Sequence, residues 1–166
     1  MGSALRALAA LMLVLPLAAF EISEPKAVPA PDQPLGERSS QDSLPQSHHP
    51  LWDTLAAAKT DFDTKTGIYS IKLTDEVRAM DGAQVVLSGF ILPLDGADKT
   101  RHFLLSKRTP VCLYCPPGEP NEVVEVRSKK PIAWVDDQVS LRGRFKLVDD
   151  TEKAIFFAMD GAEPVK

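Results

Sequence analysis

Hydrophobic and polar positions change rhythm four times along the chain. Ala7 to Ala19 is an uncharged run of Ala, Leu, Met and Val with Pro16 near its end, and no polar residue alternates within it. Glu21 to Pro50 reverses this, with proline, Ser, Gln, Asp and Glu and few large apolar groups. Leu51-Trp52 and Leu55-Ala56 then fall at helical spacing, which predicts a short amphipathic helix over Pro50 to Lys59 with Trp52 as a packing residue. Gly67 to Leu73 alternates with period two and predicts a strand. Thr74 can cap a brief helix from Asp75 to Met80, whose early acids suit the positive end of the dipole and which Asp81-Gly82 stops.

The strongest strand signal runs from Gln84 to Leu94, rich in Val, Ile and Phe and interrupted by Gly89, a residue that marks a bulge or sharp bend inside a strand. His102 to Ser106 and Glu122 to Arg127 predict two further strands. Between them, Lys107 to Asn121 holds Pro110, Pro116, Pro117 and Pro120, whose missing amide donors forbid a regular helix or central strand. Val139 to Val148 and Ala154 to Met159 flank a polar turn at residues 149–153 and predict a hairpin. The fold class expected is all-β with one or two short helices, a small OB-like (oligonucleotide/oligosaccharide-binding-like) β-barrel of about five strands. An open sandwich is the alternative. The division expected is a signal peptide over 1–19, a disordered proline-rich linker over 20–50 and a small β-barrel domain over 51–166.

Composition agrees with one globular unit plus extensions: 166 residues, 44% hydrophobic, 25% charged and 7% aromatic. Nineteen basic against 23 acidic side chains give a formal charge of −4, a summed field that repels phosphate backbones, so nucleic acid is not an expected partner. The apolar front run follows a cationic tip at Arg6 and ends in the small residues Ala18-Ala19. It is shorter than the roughly 20 residues that cross a bilayer core and reads as an export signal. Cleavage is expected after Ala19, although Leu17 makes the site an imperfect A-x-A. An uncleaved anchor is the alternative, and the one route by which a membrane enters this reading.

One constellation carries chemistry. Cys112 and Cys115, the two cysteines of the chain, stand three positions apart within the proline loop. They can close a small disulfide ring, or aim two sulfurs at one soft ion, Zn or Cu(I). Oxidation is the default after export. Lys107 and Arg108 offer cations that would lower a thiol pKa, but Pro116-Pro117 denies the motif the helix that thioredoxin-like enzymes place behind it. A zinc shell would need two further ligands, from His102, Glu119, the linker pair His48-His49 or a partner chain. As a plain staple the ring lowers unfolded-state entropy by roughly 2 kcal/mol. A Cys112–His102 nucleophile pair needs a spatial adjacency that spacing does not supply. Gly-rich phosphate loops, H-E-x-x-H and G-x-S-x-G are missing from the sequence. Asp136-Asp137 and Asp149-Asp150 read as turns, and Lys129-Lys130 as a solvated face.

The ordered series Asp81 to Leu94, His102 to Ser106, then Cys112 with Pro116-Pro117-Gly118-Glu119-Pro120-Asn121 resembles a family of small exported bacterial proteins known as domain of unknown function 3299. Many relatives carry Cys-Ile-His before a polyproline run ending in Asn. Here Tyr114 stands in place of that His, Cys115 follows, and Gly118-Glu119 break the prolines. The resemblance implies a periplasmic location and, from gene neighbourhood, a link to transporters of the ATP-binding-cassette (ABC) type. The function expected is therefore a non-enzymatic periplasmic accessory protein presenting the Cys112–Cys115 loop, with Pro110, Tyr114, Pro116, Pro117, Glu119, Pro120 and Asn121, to a metal ion or to a transporter or other envelope partner. A thiol-dependent redox protein or sensor using Cys112 and Cys115 is the rival reading.

Overall fold

The computed structural model describes residues 40–112 and 117–165. The signal segment, the linker up to residue 39, and Tyr114, Cys115 and Pro116 of the loop lie outside the described residues. In chain order come helix α1 (Leu51–Ala56), strands β1 (Lys59–Asp63) and β2 (Ile68–Lys72), helix α2 (Asp75–Ala79), β3 (Gln84–Pro93), β4 (Lys99–Ser106), a 3-10 turn (Pro120–Glu122), β5 (Val123–Ala133), β6 (Val139–Asp150) and β7 (Ile155–Pro164). The last five strands close a barrel in the order β3-β4-β5-β7-β6. All pairings are antiparallel except β5 with β7, which run parallel. This is the OB-like five-stranded barrel that the spacing of strand signals predicts.

Closure turns on β3. Its first half, Gln84–Gly89, pairs with β6, and its second half, Phe90–Pro93, pairs with β4. The strand changes partner at Gly89. A Cβ there would sit 2.6 Å from the Ser106 carbonyl oxygen and 3.2 Å from the Trp52 ring, so only glycine lets the neighbouring strand and the α1 tryptophan approach this closely. Inward positions then alternate with outward ones: Leu87 and Ile91, Phe103 and Leu105, Val124 and Val126, Leu141 and Phe145, Phe157 and Met159 are all buried in one cluster. Phe145 and Phe157 touch across β6 and β7 with ring centroids 5.7 Å apart. The run Phe90-Ile91-Leu92 is buried on both faces of β3, as a continuous apolar run requires.

Three segments differ from the sequence-based expectation. Lys59 begins a strand rather than ending a helix: α1 stops at Ala56, and β1 pairs with β2 in a separate two-stranded ribbon carrying a Phe62–Tyr69 ring contact at 4.8 Å. Its sequence, Lys-Thr-Asp-Phe-Asp, has one large apolar residue and no strand signal of its own. β5 continues beyond Arg127 to Ala133, so Lys129-Lys130 lie within a strand. The C-terminal end of the linker is ordered on the barrel. Residues 40–42 are helical, Gln41 and Ser47 are buried, and Gln46 bridges to Arg108. Thr74 does cap α2, its hydroxyl accepting the Val77 amide at 3.3 Å. No helix among the described residues is long and apolar enough to cross a membrane.

Placing a methyl group on Gly89 has a measurable consequence. Gly89→Ala should lower stability by about 1–3 kcal/mol through overpacking, read as a reduced urea midpoint. Ser70→Ala on the exposed face of β2 should stay within about 0.5 kcal/mol.

Candidate functional site

A segment with four prolines cannot hydrogen-bond itself into shape, so its carbonyls need donors from elsewhere. The ordered strap at residues 40–50 supplies them. The Gln41 amide nitrogen donates to the Thr109 carbonyl at 3.1 Å and to the Pro117 carbonyl at 3.0 Å, one bond to each shoulder of the loop. Ser106 adds a second donor to Pro117 at 3.0 Å, the Ser47 amide donates to Lys107 at 2.8 Å, and the Thr109 hydroxyl donates back to Pro45 at 2.6 Å. Strap and loop are one unit. The strap itself is fixed to the barrel where the Ser47 hydroxyl and the Trp52 indole N–H both donate to the Ser88 carbonyl, at 2.6 and 2.7 Å.

Charge closes the base of the loop. Glu122 is 8% exposed. Its carboxylate accepts from Arg108 Nε at 2.8 Å, lies 3.7 Å from Lys107 Nζ, and accepts weakly from the Glu119 amide at 3.4 Å. Arg108 also reaches Asp42 on the strap at 2.6 Å. The hydrogen bond to Glu122, more than any other influence, raises the Arg108 pKa, so this guanidinium is a permanent charge. A buried carboxylate is tolerated only when paired in this manner. Both cations that the sequence offers as activators of a thiol are thus turned to Glu122.

The docking residues of the sequence reading separate into two groups. Pro117 and Pro120 are buried, and Asn121 donates to the carbonyls of Ala56 and Ala58 at 3.3 and 2.8 Å. These three, with Glu119 opening the 3-10 turn, anchor the loop rather than display it. Pro110 and Cys112 instead line a cavity of about 260 Å3, with Phe90–Leu92 of β3 on one side and Trp134, Val135 and Asp136 of the β5–β6 connection on the other. Val111, Trp134 and Val135 expose 38%, 46% and 41% of their surface there. Cys112 is half-buried, and no described cysteine is a free thiol.

His102 is not part of this cavity. Its neighbours Phe103 and Leu105 turn inward, while its own ring projects from the outer face of β4 and meets Glu125 at 2.6 Å, a carboxylate shared with Arg127 at 3.0 Å. His49 accepts the Leu51 amide through Nδ1 at 3.3 Å and so serves the start of α1, while His48 is exposed. Among the described residues no group of three or more His, Cys, Asp or Glu side chains is gathered to hold a metal. His102 does not line the cavity beside Cys112, and Cys115, the other half of the expected ligand pair, lies outside the described residues. Sequence reasoning missed Trp134, Val135 and Gln41. An apolar pair ahead of Asp136-Asp137 looks like any strand end, and a glutamine in a polar tract carries no signal until its partners, 68 and 76 positions away, are known.

Removing the Gln41 amide would loosen both shoulders of the loop. Gln41→Ala should cost about 1–3 kcal/mol, since it leaves loop carbonyls without a donor. Amide exchange at residues 107–112 should accelerate while β6 and β7 stay protected.

A family model described as "Protein of unknown function (DUF3299)" matches residues 29–159. The crystal structure of a DUF3299 family protein from Pseudomonas aeruginosa PAO1 is similar over 74% of this chain and 85% of that chain, at 21% sequence identity and a TM-score of 0.46. No curated protein matches the chain.

Proposed function

This chain belongs to the DUF3299 family, and from that premise we propose that it is an exported, periplasmic, non-enzymatic accessory protein that docks an envelope partner through the Cys112 loop. The single observation that carries the reading is the cavity beside Cys112, where a loop held at both shoulders meets the exposed Val111, Trp134 and Val135. Rigid apolar contacts bind at low entropic cost, and tryptophan is among the residues enriched at interface hot spots. Cys112 and Cys115 form a disulfide in this proposal, which agrees with a Cys112 that is not free and with an oxidising compartment. The ring then keeps the tip of the loop from unravelling. An ABC-type transporter component is the partner that the family's gene neighbourhood favours.

Metal handling is the alternative role of the same loop, open to it when the disulfide is reduced. Two thiolates supply half a zinc shell or a linear cuprous site, and a partner chain would complete the former.

A photo-crosslinker in place of Val111 should trap an envelope protein in cells, and Trp134→Ala should reduce the yield by roughly tenfold or more, as expected for an interface tryptophan. The same probe at Ser70 should trap nothing. Equal yields at the two positions, or no envelope product from Val111, overturn the docking reading. For the metal arm, the reduced protein is titrated with zinc and with cuprous ion under native mass spectrometry. Binding no tighter than that of Cys112→Ser removes it.

A further inference from the structure

The chain is acidic overall, yet its charges are sorted. On β5, β6 and β7, three adjacent strands of the barrel wall, the exposed cations are Arg127, Lys129, Lys130, Arg142, Arg144 and Lys146. Arg142, Arg144 and Lys146 alternate with inward-facing Leu141, Gly143 and Phe145, which sets them in one outward row about 7 Å apart. Of the carboxylates on the same strands, Glu125, Asp160 and Glu163 are already taken: Arg127 and His102 hold Glu125, Lys146 holds Asp160 at 2.5 Å, and Lys129 holds Glu163 at 3.4 Å. Asp149, exposed at the far end of β6 beside the β6–β7 turn, is in no ion pair among the described residues. At the hairpin tip Asp150 is taken by Lys153 at 2.7 Å.

Lys130, Arg142 and Arg144 are left over, and the two arginines stand side by side in the outward row of β6. Asp160 and Glu163 are their cross-strand neighbours on β7, but both acids pair with lysines, and neither arginine has an ion pair among the described residues. An arginine so placed keeps its planar fork of donors free for an external acceptor, and phosphate oxygens suit that fork in geometry and charge. The cations are spread over three strands of the barrel's outer wall, and the cavity between β5 and β7 there is lined by Lys130 but by neither arginine, so the complementary partner is a broad surface rather than a single polyanionic strand.

We propose that the β5–β6–β7 wall of the barrel, through Arg142 and Arg144, seats this protein on the phosphate headgroups of an anionic bilayer. The proposal is independent of partner docking at the Cys112 loop. Each basic side chain near such a surface adds a modest attraction that fades with salt.

The test is co-sedimentation of the exported protein, purified from cells, with vesicles of phosphatidylglycerol and phosphatidylcholine or of phosphatidylcholine alone. Binding should require the anionic lipid and fall as salt rises from low to physiological strength. Arg142→Ala/Arg144→Ala should weaken it about 30-fold, with unchanged thermal unfolding. Lys59→Ala/Lys72→Ala, which removes two cations of the β1–β2 ribbon, should not. Equal binding to both vesicle types, no binding at low salt, or an equal loss in the ribbon variant overturns the proposal. Tighter, arginine-dependent binding to single-stranded DNA than to the vesicles also overturns it, since that would name a soluble polyanion as the partner.

Discussion

A loop built on prolines must borrow its hydrogen-bond donors, and this demand organises the functional half of the molecule. Pro110, Pro117 and Pro120 have no amide proton to give, so the carbonyls around them are satisfied by Gln41, Ser106 and Ser47. Two of the donors, Gln41 and Ser47, lie far away in sequence, and the closed barrel brings them to the loop. Ser106 ends β4, Ser47 is fixed through the Ser88 carbonyl of β3, and Asn121 ties the far side of the loop to the end of α1. Closing the barrel at Gly89 and positioning the Cys112 loop are therefore one structural problem. The glycine that lets β3 change partner also admits Trp52, whose indole shares the carbonyl that fixes the strap.

Charge follows a similar division. At the loop, the half-buried Arg108 and the buried Glu122 serve the fold, and loss of the arginine would leave an uncompensated carboxylate in a poorly solvated place. On the outer wall, ion pairs are exposed and individually weak, and what matters is which cations they leave over. The near-neutral sum of side-chain charges conceals this arrangement. A formal charge of −4 describes the chain as a whole, whereas a surface meets a partner one face at a time.

The barrel was legible from the sequence wherever one face of a strand is buried. β3, β4, β6 and β7 alternate or run apolar for enough residues to be read, and the Thr74 cap and the Asp81-Gly82 stop around α2 are local chemistry that tertiary packing leaves alone. β1 was not legible, because a ribbon with both faces partly wet needs no apolar rhythm. The ordered strap was not legible either: its residues are polar and its stability comes from bonds to carbonyls some 40 to 76 positions away. Of the candidate site, the cysteine loop announced itself by its spacing and its prolines. Its apolar wall did not, because Trp134 and Val135 become a surface only when the β5–β6 connection folds against β3.

One feature of the strap reaches beyond static support. Gln41 and Asp42 join the loop to the chain close to the N-terminal edge of the described residues, and the Gln41 bonds run to both shoulders of the loop. Force applied to the chain ahead of Gln41 would load those contacts before it reached any strand of the barrel. The strap and the cysteine loop are mechanically in series, so a tug on one is felt first at the other.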